Sequence, residues 1–209
     1  MTRLAKDGWR VAAHAVGDAA VDQVLDGFEA ATATTSLKGR RWTIEHGFIV
    51  HPRQIERMKQ LDIMLSVQDH LYLAGPSLRK YWGESRANHV TPLRTLMGSG
   101  LVVAGGTDAP VVPANPFWAM YHFLSRDTIQ GGVMGAGERV TDRGAILRMF
   151  TLNYAKMVGE DQAIGSIEPG KSADFVLLSD NFMTAPLNNI RDMKAIETYI
   201  GGHKVYENK

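Results

Sequence analysis

Short apolar runs alternate with amphipathic segments along the first three quarters of the chain. Between the first two runs, apolar residues recur at intervals of three and four positions, which is the pattern of one buried helix face. These residues are Val21, Val24, Leu25 and Phe28, and Asp18 is placed to cap the helix. Repeating strand–helix units predict a parallel sheet or barrel. The strand-like runs are residues 10–14, 42–46, 63–67 and 101–105.

The segments between and after these runs predict further helices and two irregular stretches. Pro52 suits the first turn of a helix. A short helical pattern covers 92–97, and a longer one covers 115–126. Thr141 is expected to cap a last helix that stops at Gly159, because glycine is the preferred residue just past a helix end. The irregular stretches are expected at 75–83 and 131–137.

The pattern changes near residue 163. Three strand-like stretches follow with little helix between them, and Gly201 and Gly202 separate two apolar runs in the manner of a hairpin turn. We therefore expect two domains, 1–162 and 163–209. The strand-like stretches are residues 163–168, 173–178 and 194–207.

Composition excludes several classes of protein. The 209 residues carry 23 Lys and Arg against 22 Asp and Glu, so no basic field predicts binding to nucleic acid. A hydrophobic content of 44% is that of a globular chain, and no apolar run reaches the length of about 20 residues that spans a membrane. The polar N-terminus is unlike a signal peptide, which favours a cytoplasmic location. Because there is no cysteine, any transition metal must be held by His, Asp or Glu.

Three of the predicted strands end at, or just before, a residue of a type that commonly binds metals. His14, His46 and Asp108 stand at these ends, and parallel α/β proteins place their ligands and catalytic groups at the carboxyl ends of strands. Two imidazoles and a carboxylate together predict a divalent metal site of the Zn, Mn or Fe type. Each residue also has a simpler interpretation, because a single histidine is often a hydrogen-bonded core or surface group and Asp108 also suits a turn or helix cap.

Residues just past the third strand lie at the same edge of the predicted sheet. Gln68, Asp69 and His70 are therefore candidates for substrate contact. The remaining histidines, at 51, 89, 122 and 203, receive no role from the sequence.

Several motifs together resemble the metal-dependent amidohydrolase superfamily, and within it amidohydrolase family 3, the YtcJ- and AepA-like proteins. They occur in the family's order over nearly the whole chain. The motifs are residues 14–21 (HAVGDAAV), 44–47 (IEHG), 66–68 (SVQ), 106–111 (GTDAPV), 115–118 (NPFW), 145–156 (AILRMFTLNYAK) and 165–176 (GSIEPGKSADFV).

The resemblance implies a fold and a role for each matching residue. It implies the C-terminal half of a (β/α)8 TIM-like barrel, with strands equivalent to the fifth to eighth, followed by the C-terminal strands of a small β-sandwich domain. His14 and His46 resemble the family's fifth- and sixth-strand metal ligands. Asp108 resembles the eighth-strand aspartate, which touches the metal and transfers protons. Trp118 lies in the segment that resembles the stretch after the last barrel strand, and with Gln68 and His70 it is a candidate for shaping the substrate pocket.

The earlier motifs of the family have no counterpart in this chain. No His-x-His pair occurs in it, and no earlier strand supplies a bridging Lys or Glu carboxylate. The chain is therefore expected to be the C-terminal portion of a longer enzyme. That enzyme is expected to hold one or two divalent metal ions, with zinc as the preferred ion and Mn or Fe as alternatives. That enzyme would hydrolyse amide or other non-peptide C–N bonds of small molecules, and this portion alone would be weak or inactive.

A second hypothesis is a non-catalytic structural or regulatory fragment. A half-barrel leaves two open sheet edges and an uncovered interior face that is expected to be apolar, and such surfaces favour pairing. The chain would then self-associate or pair with a missing N-terminal half.

Overall fold

A four-stranded parallel sheet forms the centre of the larger part of the structure, a computed structural model that describes residues 1–208. Its strands lie side by side in chain order. They are β1 (Ala12–Ala15), β2 (Thr43–His46), β3 (Met64–Gln68) and β4 (Val103–Gly106). A separate antiparallel sheet contains β5 (Phe175–Leu178), β6 (Ala195–Ile200) and β7 (His203–Glu207).

Helices follow each strand of the parallel sheet. A short 3-10 helix covers Ala136–Glu138. None of the helices in residues 1–208 is long and apolar enough to cross a membrane. The α-helices are α1 (Thr2–Lys6), α2 (Asp18–Thr32), α3 (Pro52–Leu61), α4 (Leu71–Ala87), α5 (Leu93–Gly98), α6 (Pro116–Ser125), α7 (Arg143–Phe150), α8 (Leu152–Val158) and α9 (Leu187–Arg191).

All four strands predicted for the first part are confirmed, but the expected irregular stretch at 75–83 lies within α4. Pro76 has no N–H to donate to the carbonyl of Tyr72 four residues earlier. That carbonyl instead accepts a hydrogen bond from the N–H of Ile129, 2.9 Å away. The helix therefore continues through the proline, and its backbone leaves helical geometry only at Gly83, where φ is 78°.

Two other predictions of local structure are wrong. Residues 163–168 form turns instead of a strand, and the N–H groups of Ala163 and Ile164 both bond back to the carbonyl of Glu160. The expected helix from Thr141 to Gly159 is two helices, α7 and α8, which meet at Thr151. Asp142 caps the first of them, because its Oδ1 accepts a hydrogen bond from the N–H of Ala145.

The two faces of the parallel sheet differ in burial. Ala13 and Ala15 of β1 are buried, whereas Ala12 and His14 are exposed. The strand register aligns His14 with Glu45 of β2, and Glu45 with Ser66 of β3, so these side chains share one face. This open face, defined by Ala12, His14, Glu45 and Ser66, also carries Met64 and Ala104 by register, so it mixes polar and apolar residues.

The opposite face of the sheet carries the hydrophobic core. Trp42, just before β2, is fully buried and meets Phe28 of α2 edge to face, with ring centroids 4.9 Å apart. Gly105 is required on this side, because a Cβ atom there would lie 2.5 Å from the Phe150 ring. Close helix packing against β4 therefore depends on the glycine.

An ion pair joins the two helices α2 and α3 and predicts a pH effect. Arg53 donates two hydrogen bonds of 2.6 Å to Asp22 and lowers the pKa of that carboxyl to about 2. A lowered folded-state pKa stabilises the fold above the unfolded value of 3.8, and this contribution is lost as the pH falls through about 2. Asp22→Asn should therefore destabilise the chain at pH 7 by no more than about 1 kcal/mol, because the pair is partly exposed.

Urea unfolding at several pH values measures this effect. The difference between the variant and the parent chain should shrink as the pH is lowered below the unfolded pKa of the carboxyl. Asp7→Asn, at an exposed ion pair with Arg3 in α1, is the matched control and should change little. A difference for Asp22→Asn that persists unchanged in acid would contradict the assignment.

Candidate metal centre

Three residues that follow neighbouring strands come together at the carboxyl edge of the parallel sheet. His46 is the last residue of β2, His70 directly precedes α4 after β3, and Asp108 follows β4. One ligand atom from each residue lies within 4.8 Å of the other two. Two imidazoles and a carboxylate at this spacing are a ligand set suited to a divalent transition metal.

The backbone at His46 turns its ring toward this group. In the strand register His46 aligns with Ala15, which is buried on the helix side, so strict alternation would direct its ring away from the open face. Its φ of 77° lies in the left-handed region and breaks the alternation. Asp108 also has a left-handed backbone, with φ at 57°. Two of the three side chains are thus positioned by strained backbone, as is frequent at functional sites.

His14 lies beside this group. Its ring meets the His46 ring edge to face, with centroids 4.7 Å apart. Its nitrogens are not among the ligand atoms that lie within 4.8 Å of one another. Of the residues predicted as ligands, the structure therefore groups His46 and Asp108 with His70 and places the exposed His14 next to them.

A buried amide fixes the orientation of the His46 ring. Nδ1 of His46 lies 2.6 Å from Oε1 of Gln68, and the Gln68 amide donates through Nε2 to Oγ of Ser66. Because this second bond turns Oε1 toward the imidazole, Nδ1 of His46 carries the proton and donates it. Nε2 then presents its lone pair, as in histidines that bind metals. Gln68, predicted to contact substrate, is buried and bonded to His46 in this structure.

Burial also sets the protonation of His70. Burial lowers the pKa of this imidazole, and the neighbouring His46 lowers it further, against the opposing effect of the Asp108 carboxylate. Nε2 of His70 lies 3.4 Å from Oδ2 of Asp108 but without hydrogen-bond geometry, so this buried nitrogen has no hydrogen-bond partner. A neutral imidazole with an unsatisfied buried nitrogen next to a carboxylate fits a metal ligand.

The Gln68 contact predicts an effect on metal affinity. Gln68→Ala removes the acceptor that holds Nδ1 of His46, so the ring loses its fixed orientation and tautomer. We expect zinc affinity, measured by competition with a chromogenic chelator, to fall by about 10- to 100-fold. Gln130→Ala, at an exposed residue, is the control. Equal affinity in the two variants would contradict this role.

Comparison with known proteins agrees with this arrangement. The sequence profile of the amidohydrolase family matches residues 1–206. The chain belongs to this amidohydrolase family. The resemblance predicted from its motifs is thereby confirmed.

The relatives of this amidohydrolase chain are longer proteins. It is 33% identical over 204 residues to the protein LONG AFTER FAR-RED 3 of Arabidopsis thaliana, covering 96% of the chain and 35% of the relative. It is 31% identical over 211 residues to the N-substituted formamide deformylase of Arthrobacter pascens, covering 98% of the chain and 38% of that enzyme. The chain therefore spans little more than a third of the length of these curated relatives.

A solved structure shows the same fold. A metal-dependent hydrolase from Pyrococcus horikoshii, described as uncharacterized, superposes with a TM-score of 0.73 at 29% identity. The match covers 87% of this chain and 36% of that protein. The α/β fold with a parallel sheet is thus that of metal-dependent hydrolases.

A buried polar cluster in this amidohydrolase chain includes Asp69, the neighbour of His70 in the sequence, with His122 and Asp127. Nδ1 of His122 lies 2.6 Å from Oδ1 of Asp127, and burial lowers the pKa of His122. Asp69, between Gln68 and His70 in the chain, is fully buried, and burial followed by the charge of Asp127 raises its pKa well above the usual value. The cluster therefore holds a neutral imidazole and a carboxyl group that favours its protonated form.

Aromatic rings cover the imidazole of this cluster. Trp118, predicted to shape the substrate pocket, lies with its ring centroid 4.2 Å from that of His122, and Tyr72 lies 4.1 Å from it. Tyr72 lies in the first turn of α4, and Trp118 lies in the helix that follows Asp108, so both border the loops that carry the ligand group.

Sequence reasoning missed His122 and the ligand position of His70. The signal for His122 was available, because it is a polar residue in a helix whose residues from Phe117 to Ser125 are otherwise mostly apolar and buried. His70 was recognised as lying at the correct edge of the sheet, but the bend that brings it to Asp108 is set by the start of α4.

Proposed function

We propose that this chain provides the C-terminal part of the metal centre of a hydrolase that cleaves amide or other non-peptide C–N bonds in small molecules. The observation that carries the proposal is the convergence of His46, His70 and Asp108 at the carboxyl ends of neighbouring parallel strands. In this proposal residues 1–162 are the half of a (β/α)8 barrel that bears strands five to eight. Residues 163–209 contribute strands to a β-sandwich domain.

The residues present fit a divalent metal, with zinc as the preferred ion and Mn or Fe as alternatives. His46 offers Nε2, His70 has an unsatisfied buried nitrogen, and Asp108 offers a carboxylate. The family resemblance implies His14 at one ligand position, whereas the spacing of the ligand atoms favours His70 there. A parent enzyme with further ligands from its N-terminal half would accommodate both, with one or two ions.

The chain's own residues then have defined roles in hydrolysis. A bound divalent ion supplies a water of lowered pKa and a polarised substrate carbonyl. Asp108 accepts a proton from the attacking water as the bond from water oxygen to carbonyl carbon forms. It returns that proton to the leaving nitrogen as the C–N bond breaks, so the products are an acid and an amine.

Among the residues predicted to contact substrate, Gln68 and His70 are engaged with the ligand group, whereas Trp118 is half-buried at the start of α6 and is the candidate for this contact. The formamide deformylase of Arthrobacter pascens supports an N-substituted amide as the substrate class. The aromatic surface of Trp118 suits the apolar substituent of such an amide.

Asp108→Asn tests the catalytic proposal. With the chain loaded with zinc and a panel of N-substituted formamides and acetamides, the variant should lose turnover by about 10²- to 10⁴-fold because asparagine cannot accept the proton. Asp192→Asn, at an exposed position, is the control. Equal turnover in the Asp108 variant contradicts the proton-transfer role. If the parent chain shows no bound metal and no turnover, that result contradicts catalysis by this chain.

Separate removal of the two candidate imidazoles decides the third ligand. His70→Ala should reduce the bound zinc measured by elemental analysis more than His14→Ala does if the geometry gives the ligand set. The reverse order would support His14, as the family resemblance implies.

A second candidate function is self-association without catalysis. The observation that favours it is the presence of two edge strands, β1 and β4, in the parallel sheet of residues 1–208. Edge strands present unpaired backbone groups that favour pairing with another chain. Sedimentation equilibrium should then show a dimer, and a monomer at high protein concentration would refute it.

A further inference from the structure

A cavity lies away from the metal-ligand group. It has a volume of about 480 Å³ and is bounded by α5, the start of β4, the segment 139–142 and α7. Asp108 follows the carboxyl end of β4, whereas Leu101 and Val103 at the amino end of that strand line this cavity. The volume is within the range of small-molecule sites. We call it the arginine cavity, after Arg94, Arg139 and Arg148.

Positive charge dominates the wall of the arginine cavity. Three arginines line it, against the single carboxylate of Asp142. The protein as a whole has a net charge of only +1, so this excess is local and not part of a basic surface. Guanidinium groups bind carboxylate and phosphate oxygens in pairs of hydrogen bonds.

The guanidinium groups retain most of their hydrogen-bond donors. Arg94 makes one long contact of 3.5 Å to the carbonyl of Gly137, and Arg139 donates to the carbonyl of Ser125. Arg148 lies 3.5 Å from Asp142, with both side chains more than half exposed. Since each guanidinium has five N–H donors, several remain for a ligand.

The single carboxylate of the cavity is divided between a helix cap and one arginine, because its Oδ2 lies 3.5 Å from Arg148. Oδ1 of Asp142 accepts the N–H of Ala145 and caps α7. It therefore neutralises the three cations only in part. The rest of the wall includes the apolar residues Met97, Leu101 and Val140 and the polar residues Thr141 and Asn153.

We propose that the arginine cavity binds a small organic anion with two negative charges on a compact apolar body. The shared chemistry is a divalent oxyanion, either a phosphate monoester or a dicarboxylate. Its charged end lies against Arg94 and Arg148, and its apolar body lies against Met97 and Leu101. The site is separate from the metal centre and independent of the proposed hydrolase function.

Isothermal titration calorimetry of the full chain in chelator-treated buffer tests this site. The probes are phenyl phosphate, phthalate, inorganic phosphate and the neutral benzyl alcohol. Phenyl phosphate or phthalate should bind more tightly than inorganic phosphate, and benzyl alcohol should not bind. The stronger of the two organic anions identifies the preferred oxyanion. Absence of binding by both at millimolar concentration would overturn the proposal.

Charge variants locate the binding site. Arg94→Gln and Arg148→Gln should each weaken binding by about 10-fold or more, which corresponds to the loss of one charge-assisted hydrogen bond. Arg3→Gln is the control, because Arg3 is exposed in α1 and does not line the arginine cavity. Binding that is unaffected by both cavity variants, or that is lost in His46→Ala, would overturn the assignment.

A variant that increases affinity guards against misfolding as an explanation. Asp142→Asn removes the carboxylate but retains the helix cap, because asparagine is as good an N-cap residue as aspartate. Binding of the organic anion should therefore become tighter. Unchanged or weaker binding in this variant, with intact circular dichroism, would count against an electrostatic site.

Discussion

Replacing His46 by alanine is expected to lower the affinity of the chain for zinc by more than about 100-fold, a larger effect than loss of an outer-shell contact. His46 contacts more members of the candidate metal centre than any other residue of that centre. Its ring is oriented by Gln68, it lies beside His14, and it shares the ligand group with His70 and Asp108. No other imidazole in this group has its tautomer fixed by a side-chain hydrogen bond.

Zinc titration by calorimetry, with elemental analysis of the dialysed protein, measures this loss. His203→Ala is the matched control, because His203 begins the exposed strand β7 of the other sheet. Zinc bound at the same stoichiometry and affinity in His46→Ala would show that the metal, if any, is held elsewhere. Because this measurement does not need turnover, it tests the centre even in a chain that lacks hydrolytic activity.

Replacing Arg126 by alanine is expected to have the largest effect on folding, about 3–5 kcal/mol of lost stability. This guanidinium is almost completely buried and donates three hydrogen bonds of 2.8 Å to the carbonyls of Val90, Thr91 and Met134. Burial lowers its pKa to about 10, so it remains a cation at neutral pH. Its removal leaves three buried carbonyls without donors, each at a cost of about 1–3 kcal/mol before relaxation.

Chemical denaturation with circular dichroism is the measurement. Arg126→Lys keeps the positive charge but lacks the planar fork, so its stability should lie between that of the parent and that of Arg126→Ala. Arg3→Ala, at an almost fully exposed side chain, should change stability by less than about 0.5 kcal/mol. If Arg126→Ala and Arg3→Ala unfold at the same denaturant concentration, the buried guanidinium has no structural role.

The parallel sheet could be predicted because each of its strands is a short apolar run bounded by turn residues. The helix across Pro76 could not, because its continuation depends on Ile129, more than fifty residues later, which takes up the carbonyl that the proline leaves free. A partner so distant in sequence leaves no local pattern. The split of the expected helix at Thr151 could not be predicted either, because it depends on the non-helical backbone angles of this one residue.

The candidate site was predicted in its location but not in its details. Strand ends indicated His46 and Asp108, and the structure brings both to one edge of the sheet. The left-handed backbone that turns the His46 ring toward Asp108 is unpredictable, because a histidine carries no signal for positive φ as a glycine does. The face assigned to His46 by strand alternation therefore does not give its true direction.

The spacing of the ligand residues along the chain has a consequence for folding. More than twenty residues separate His46 from His70, and again His70 from Asp108. An ion held by all three closes two long loops at once and joins three successive strand–helix units, as a cross-link does. Such an ion stabilises the native state in proportion to the logarithm of its free concentration, once that concentration exceeds the dissociation constant. The zinc supply around this chain would then set how much of it is folded.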